Sequence, residues 1–163
     1  YLCDNGKLEK TNRGVYMLHT SWDDEFISLQ GRFKKGIFSH ETALFLHNLT
    51  DRTPIKFHMT FPTGYNLTMA KAFNVQCHQN KVDIYSTGIV NANTPFENTV
   101  RVYCKEKTLC DILVKKSETD IQLISTAFKM YSDSTEKNIP LLSEYAKMLR
   151  VETKVRTYLE VLL

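Results

Sequence analysis

One stretch decides the fold of this 163-residue chain: Ile55-Lys56-Phe57-His58-Met59-Thr60. Apolar and polar side chains alternate along it, which is the two-residue repeat of a half-buried β-strand. Shorter signals of the same kind predict strands near residues 75–78, 82–85 and 100–104. Between the last two, a proline and several asparagines predict a loop at residues 91–98. The sequence therefore predicts a small β-sheet in the middle of the chain.

Helical patterns lie on both sides of this sheet. Upstream, Asp23-Asp24 is expected to cap a helix that runs to about Arg32, and Ser39 is expected to cap a second helix. From Leu109 onwards, apolar residues recur at helical spacing, and Pro140 suits the first turn of one of about four helices. This order of elements predicts an α+β fold with a C-terminal helical part, and not the regular strand-helix alternation of a doubly wound sheet.

The composition is that of a folded globular protein, with 42% hydrophobic and 24% charged residues. The net charge of +3 and the pI of about 8.6 fall short of the pI above about 9 that is typical of a dedicated nucleic-acid-binding domain. No apolar run approaches the roughly 18 to 20 residues of a membrane span, and no signal-peptide pattern is present. We therefore expect a soluble, cytoplasmic protein with no membrane partner, whose four cysteines are reduced and mostly buried.

The residue patterns of catalysis and metal binding are missing from the sequence. The six glycines do not form a phosphate-binding loop. His40 and His47 lie on one predicted helix but about 10 Å apart along its axis, which is too far for two ligands of one metal. The other candidate zinc ligands lack C-x-x-C spacing: Cys77, His78, Cys104 and Cys110. The sequence thus predicts no catalytic residue, no metal site and no cofactor, and a protein that is not an enzyme.

The N-terminal residues predict a β-hairpin. Gly6 is typical of a position just past a helix, and Asn12 and Gly14 tolerate the positive φ of a turn between two short strands. Residues on or near the hairpin tip could reach DNA phosphates or a minor groove, and these are the predicted DNA-binding residues: Lys7, Lys10, Asn12 and Arg13. The alternative is that they are ordinary solvated hairpin residues.

Five segments, distributed over nearly the whole chain, carry a resemblance to a known family. The first is the hairpin, which is similar to the wing of a winged helix-turn-helix: Gly6-Lys7-Leu8-Glu9-Lys10 with Arg13-Gly14-Val15-Tyr16. The others are Phe38-Ser39-His40-Glu41-Thr42-Ala43-Leu44 with Leu49-Thr50-Asp51, Thr60-Phe61-Pro62-Thr63-Gly64-Tyr65, Glu106-Lys107-Thr108-Leu109-Cys110-Asp111, and Tyr145-Ala146-Lys147-Met148-Leu149-Arg150-Val151. Together they resemble the AbiEi antitoxin family of bacterial abortive-infection systems, which are type IV toxin-antitoxin systems.

The resemblance implies two parts and two functions. Residues 1–20 would be the remnant of an N-terminal winged helix-turn-helix, largely missing here, which in the family binds operator DNA and represses its own operon. Residues 21–163 would be the antitoxin domain, which counteracts a nucleotidyltransferase toxin. Whether the antitoxin touches the toxin directly is left open. The implied function is that of an antitoxin and transcriptional autorepressor in phage defence.

Two other functions stay open at this point. The chain could be a protein-binding module without DNA-binding activity, in which the hairpin is only a linker, and an exposed apolar patch would favour this function. It could also be an enzyme that sequence patterns do not reveal, such as a degenerate nuclease or a toxin-reversing hydrolase. Titratable groups clustered in a pocket would favour an enzyme.

Overall fold

The computed structural model describes the backbone of residues Leu8–Asn12, Val15–Leu18 and 24–162, and the side chains of residues 24–162. The first two ranges are strands β1 (Leu8–Asn12) and β2 (Val15–Leu18), which pair antiparallel as a two-stranded sheet. The predicted hairpin is thus confirmed. The helix end expected before Gly6 lies outside the described residues.

A five-stranded mixed sheet forms the centre of the described domain. Its strands are β3 (Ile37–Phe38), β4 (Phe57–Pro62), β5 (Val75–Asn80), β6 (Ile89–Asn93) and β7 (Thr99–Tyr103). Their spatial order is β5-β4-β3-β7-β6. The pairs β4–β5 and β3–β7 are parallel, whereas β3–β4 and β6–β7 are antiparallel. Since β3 is the central strand, the helix that follows it starts at the middle of the sheet.

Eight α-helices lie within the described residues, and with the sheet they make the α+β fold that the sequence predicts. They are α1 (Glu25–Arg32), α2 (His40–Leu46), α3 (Thr68–Ala72), α4 (Val82–Tyr85), α5 (Lys105–Asp111), α6 (Ile121–Ser132), α7 (Ile139–Met148) and α8 (Glu152–Leu162). A 3₁₀ turn, Lys115–Ser117, lies between α5 and α6. Pro140 occupies the first turn of α7, as predicted. None of these helices is long and apolar enough to cross a bilayer.

Asp24 caps α1, as the sequence predicts, and also ties this helix to the turn between β6 and β7. One carboxylate oxygen accepts the Phe26 N–H at 3.0 Å. The other accepts from the Thr94 hydroxyl at 2.6 Å and from the Asn98 amide at 2.8 Å. The carboxylate is fully buried, and these three donors replace its lost hydration. The turn is therefore fixed against the start of α1.

Two hydrophobic clusters fill the interior. One packs α1 against the sheet, with the rings of Phe26 and Phe38 in edge-to-face contact at 5.4 Å between centroids. The other consists mainly of residues from α5 to α8, such as Phe128. Helix α2 contributes to both, because Ala43 belongs to the first cluster and Leu44 to the second. This helix therefore links the sheet to the helical part.

Two local predictions are wrong. Residues 82–85, expected as a strand because of their β-branched and aromatic side chains, form α4, and the hydroxyls of Ser86 and Thr87 donate to carbonyls within it. Residues 91–93, expected in a loop, belong to β6, because their backbone pairs with β7. The decisive stretch is confirmed as a strand only from Phe57 onwards, and Ile55 is 99% exposed. For residues 82–85 and 91–93, backbone hydrogen bonding outweighed local composition.

Candidate functional site

Three histidines from three different elements meet at one place. His40 opens α2, His58 lies in β4 and His78 lies in β5. The rings of His40 and His78 stack with their centroids 3.6 Å apart, and Nδ1 of His58 lies 3.0 Å from Nε2 of His78. Grouped titratable side chains are characteristic of functional sites. The histidine cluster, His40, His58 and His78, is therefore the candidate site.

The pleat and register of two strands bring His58 and His78 together. Along β4, Met59 and Phe61 belong to the hydrophobic cluster, so His58 and Thr60 point to the opposite face of the sheet. Strand β5 runs parallel to β4 with His78 opposite Thr60, which places both histidines on that same face. A half-buried strand would expose this face to solvent, but Thr60 is fully buried. The polar face of the sheet is thus covered.

The start of α2 covers this polar face. The Ser39 N–H donates to the His58 carbonyl at 3.1 Å, and the His58 N–H donates to the Thr42 hydroxyl at 2.8 Å. The Thr60 hydroxyl donates to Oγ of Ser39 at 2.7 Å, and this oxygen lies 2.9 Å from Nδ1 of His40. These bonds fix α2 on β4 and hold the His40 ring beside the sheet.

His40 has an unusual backbone conformation. Its φ is +52°, in the left-handed region, which costs a residue with a Cβ atom about 1–2 kcal/mol. The side chain is only 6% exposed, so the surrounding structure holds it in place. Strained residues of this kind are concentrated at functional sites. Five other described non-glycine residues also have a positive φ, so the conformation adds to the side-chain chemistry at His40 but does not mark a site by itself.

A chain of hydrogen bonds assigns the protons of two histidines. Oε2 of Glu41 lies 2.9 Å from Nε2 of His58, and because a carboxylate only accepts, Nε2 of His58 carries the proton. Nδ1 of neutral His58 is then an acceptor, and Nε2 of His78 donates to it. Neutral His78 is left with a bare Nδ1. This chain of hydrogen bonds from Glu41 through His58 to His78, called the relay below, thus ends in a hydrogen-bond acceptor.

Burial keeps all three imidazoles neutral. It lowers the pKa of His40 well below the usual range, and the neighbouring His78 and His58 lower that pKa further. It lowers the pKa of His78 to about 4, and His58 and Lys116 add to the effect. For His58, burial lowers the pKa against the opposing charge of Glu41. At neutral pH the cluster is therefore an uncharged hydrogen-bonding surface.

A buried ion pair in α5 lies beside the cluster. Nζ of Lys107 is 3.3 Å from Oδ2 of Asp111 and 3.5 Å from the centroid of the Tyr103 ring, and Lys107 is fully buried. Burial raises the pKa of Asp111, and the charge of Lys107 opposes this shift. Gly88 leaves room for the lysine stem, because a Cβ there would lie 3.1 Å from Cδ of Lys107. The pair places two opposite charges next to His40 with no net charge.

A cleft of about 310 Å³ opens at the histidine cluster. His40, His78 and Asp111 line it. The rest of its wall is mostly polar and consists of Gln76, Cys77, Gln79, Asn80, Val114, Lys116, Ser117, Glu118 and Leu149. Its volume is at the lower end of the range of about 300–1,000 Å³ for small-molecule sites. The cleft is the place where a ligand could reach the histidines.

His40 and His47 do not share a site. Nε2 of His47 lies 2.7 Å from the Tyr103 carbonyl, so His47 is a structural residue with its hydrogen bond satisfied. Within residues 24–162, no group of three His, Cys, Asp or Glu side chains could hold a metal ion. The described cysteines, Cys77, Cys104 and Cys110, are free thiols, and burial raises the pKa of each, which disfavours the nucleophilic thiolate.

The predicted DNA-binding residues lie on or next to the hairpin. Lys10 and Asn12 belong to β1, where only the backbone is described. Lys7 and Arg13 lie outside the described residues. A role of these four residues in DNA binding stays a prediction.

The sequence patterns did not reveal the histidine cluster. The available signal was that His58 lies on the polar side of a strongly alternating strand and that His78 belongs to the next predicted strand. The missing information was the register between the two strands, which decides whether the histidines meet. Glu41 was likewise not recognised, because only the fold turns it towards His58.

The described domain is an α+β domain with a buried polar centre beside a cleft. No protein-family model matches the chain by sequence, and no curated protein matches it significantly.

Proposed function

We propose that this chain is an antitoxin and transcriptional autorepressor of a bacterial type IV toxin-antitoxin operon. In this proposal, the β1–β2 hairpin contacts operator DNA, and the domain from about residue 21 counteracts a nucleotidyltransferase toxin. The observation that carries the proposal is the convergence of three AbiEi-like segments on one buried polar centre. The segments are residues 38–44, 60–65 and 106–111.

The contacts between these segments are specific. Ser39 of the first segment accepts a hydrogen bond from Thr60 of the second. His40 of the first segment is close enough to Lys107 of the third for the lysine charge to lower the histidine pKa. Lys107 itself pairs with Asp111 inside the third segment. The three segments thus form one structural unit, to which the proposal assigns the antitoxin function.

The DNA-binding part of the proposal depends on charge. Lys7, Lys10 and Arg13 are three cations within seven residues of a predicted hairpin tip. Lysine and arginine bind phosphates through charge, and salt weakens such contacts. The hairpin therefore supplies affinity for the backbone of operator DNA.

The test is co-expression of this chain with the nucleotidyltransferase encoded in the same operon, with growth as the readout. We expect growth to be rescued relative to an empty vector. The variant Lys10→Ala/Arg13→Ala should rescue growth equally well, because the hairpin contacts DNA and not the toxin. Soluble, folded protein that fails to rescue growth would refute the antitoxin assignment. Rescue by a chain that binds no operator DNA would instead support a protein-binding module.

A second candidate function is a hydrolase that reverses the action of the toxin. The specific observation in its favour is the hydrogen-bond chain Glu41–His58–His78, which ends in a bare Nδ1 at a cleft and thus has the geometry of a general base. The pKa of about 4 makes His78 a weak base at neutral pH, which favours the antitoxin without hydrolase activity. In the co-expression experiment, His78→Gln separates the two functions. Loss of rescue at unchanged protein level and fold would favour the hydrolase, and unchanged rescue would eliminate it.

A further inference from the structure

Two polar atoms of the histidine cluster lack partners within the described part of the chain. The Ser39 hydroxyl is fully buried and accepts from Thr60, and its own proton has no acceptor among the described residues other than Nδ1 of His40, so we assign the proton to that bond. Neutral His40 then carries its own proton on Nε2, for which the described residues supply no acceptor. The relay from Glu41 leaves Nδ1 of His78 bare in the same way. One donor and one acceptor thus lie on two stacked rings at the cleft.

Burial makes the unpaired donor informative. His40 is 94% buried, as its exposed fraction of 6% shows, and it lines the cleft. Polar groups at this depth are hydrogen-bonded in the great majority of proteins. An acceptor atom of a ligand in the cleft would complete the hydrogen bonding of this N–H group.

The donor on His40 and the acceptor on His78 together favour ligands that present an acceptor next to a donor. The two rings are stacked with their centroids 3.6 Å apart, so a ligand at the edge of one ring also lies near the edge of the other. The Watson–Crick edge of a nucleobase has this pattern, and proteins read unpaired bases through it. A free phosphate or carboxylate fits poorly, because it offers only acceptors and leaves Nδ1 of His78 without a donor.

We propose that the cleft binds a neutral nucleobase or nucleoside, with His78 accepting a hydrogen bond from the base and His40 donating one to it. The charges at the cleft balance, since Asp111 pairs with Lys107 and the remaining charged residues, Lys116 and Glu118, are opposite in sign. This balance favours an uncharged nucleoside over a triphosphate. The inference does not depend on the proposed function.

The test is a calorimetric titration of the full chain with two pyrimidine nucleosides, each beside a methylated analogue that cannot donate from its edge. Uridine is compared with 3-methyluridine, and cytidine with N4,N4-dimethylcytidine. We expect a parent nucleoside to bind with a Kd of about 1 mM or tighter and its analogue at least about tenfold more weakly. No binding of either parent would overturn the proposal, and so would equal binding of parent and analogue. Uridine 5′-triphosphate that binds more tightly than uridine would overturn the preference for a neutral ligand.

Two variants locate the site. His78→Phe keeps an aromatic ring against His40 but removes Nδ1, and it should weaken binding about tenfold or more. The matched control is His47→Phe, the same change at a half-buried histidine that is not part of the cleft wall, and it should leave binding unchanged. If His78→Phe and His47→Phe changed the affinity equally, the assignment of the binding site to the cleft would be overturned.

A second measurement avoids any substitution. In ¹⁵N NMR spectra of the wild-type chain, His78 should be the tautomer that is protonated on Nε2, and its Nδ1 resonance should move when uridine is added. A tautomer protonated on Nδ1 would overturn the proposal, because His78 would then have no acceptor to offer.

Discussion

Nδ1 of His58 lies 3.0 Å from Nε2 of His78, and the two imidazole planes differ by 17°. Because Glu41 holds the proton of His58 on the other nitrogen, this contact also fixes the tautomer of His78. The contact requires one of the two facing nitrogens to be unprotonated, so the two rings cannot both be charged in this geometry. The folded structure therefore depends on pH through the cluster.

Acid should destabilise the protein through the histidine cluster. The pKa of His78 is about 4 in the folded protein, against about 6.5 for an unfolded chain. Between these values the unfolded state binds more protons, so the free energy of unfolding falls as the pH decreases from about 6.5 to 4. His78 alone accounts for about 3 kcal/mol of this loss. The lowered pKa values of His40 and His58 act in the same direction.

Urea denaturation at about pH 7, 5.5 and 4.5 measures this dependence. The variant His78→Gln should show a weaker decrease in the free energy of unfolding than the wild type, because it has no proton to gain at this position. Equal decreases in the two proteins would contradict the depressed pKa of His78.

Removing one charge of the Lys107–Asp111 pair should destabilise the folded protein more than removing both charges. Asp111→Ala leaves the Lys107 ammonium buried without its partner, which should cost about 3–5 kcal/mol. The double variant Lys107→Met/Asp111→Ala removes both charges and should be more stable than Asp111→Ala alone. Denaturant midpoints give the comparison. If the loss of stability in the double variant equalled the sum of the losses in Asp111→Ala and Lys107→Met, the two charges would not be coupled.

At position 40, glycine should give a more stable protein than alanine. Both substitutions remove the imidazole, but only glycine adopts a φ of +52° without strain, so His40→Gly should be more stable than His40→Ala by about 1 kcal/mol. Lys129 is the matched control, since it is an exposed residue inside α6. There the order should reverse, with alanine better by about 1 kcal/mol. The same order at both positions would contradict the left-handed backbone of His40.

Asp24→Ala should destabilise the domain more than loss of an ordinary helix cap. It removes the cap of α1 and leaves Thr94 and Asn98 without their buried acceptor, at a cost of about 3 kcal/mol. Asp120 caps α6 at an exposed site and is the matched control, so Asp120→Ala should cost less. Thermal unfolding of the two variants measures the difference. Equal shifts in Tm would show that the contacts of Asp24 with the β6–β7 turn contribute nothing.

The hairpin cations should determine the salt dependence of DNA binding. If Lys10 and Arg13 each neutralise one phosphate, Lys10→Ala/Arg13→Ala should lower the slope of log K against log salt concentration by about 1.8. The control Lys34→Ala/Lys35→Ala removes the same charge from an exposed turn and should leave the slope unchanged. Fluorescence anisotropy with labelled operator DNA provides the measurement. Equal changes in both variants would assign the effect to net charge and not to the hairpin.

The sequence predicted those parts of the fold that depend on neighbours along the chain. The cap of α1 at Asp24, the position of Pro140 in α7 and the alternating faces of β4 are all local, and all three are confirmed. The strand predicted at residues 82–85 failed, because three residues of high β-propensity, Val82, Ile84 and Tyr85, do not form a strand without a pairing partner.

The candidate site could not be predicted in the same way. The sequence showed that His58 lies on the polar side of β4, but it did not show that this side is covered by the start of α2 or that His78 lies next to it. The pairing of β4 with β5 settles the second point, since a shift of one residue would turn His78 to the opposite face. The unusual φ of His40 is also invisible in the sequence, because histidine has no intrinsic preference strong enough to reveal it.

By itself, then, the sequence determined the α+β class, most element positions and the polarity of each strand face, because propensity, capping and periodicity act over a few residues. The tertiary structure alone decided that His40, His58 and His78 share one buried site and that all three are neutral. The physical reason is that proximity depends on strand register, and the pKa of an imidazole depends on how completely the fold removes water from it.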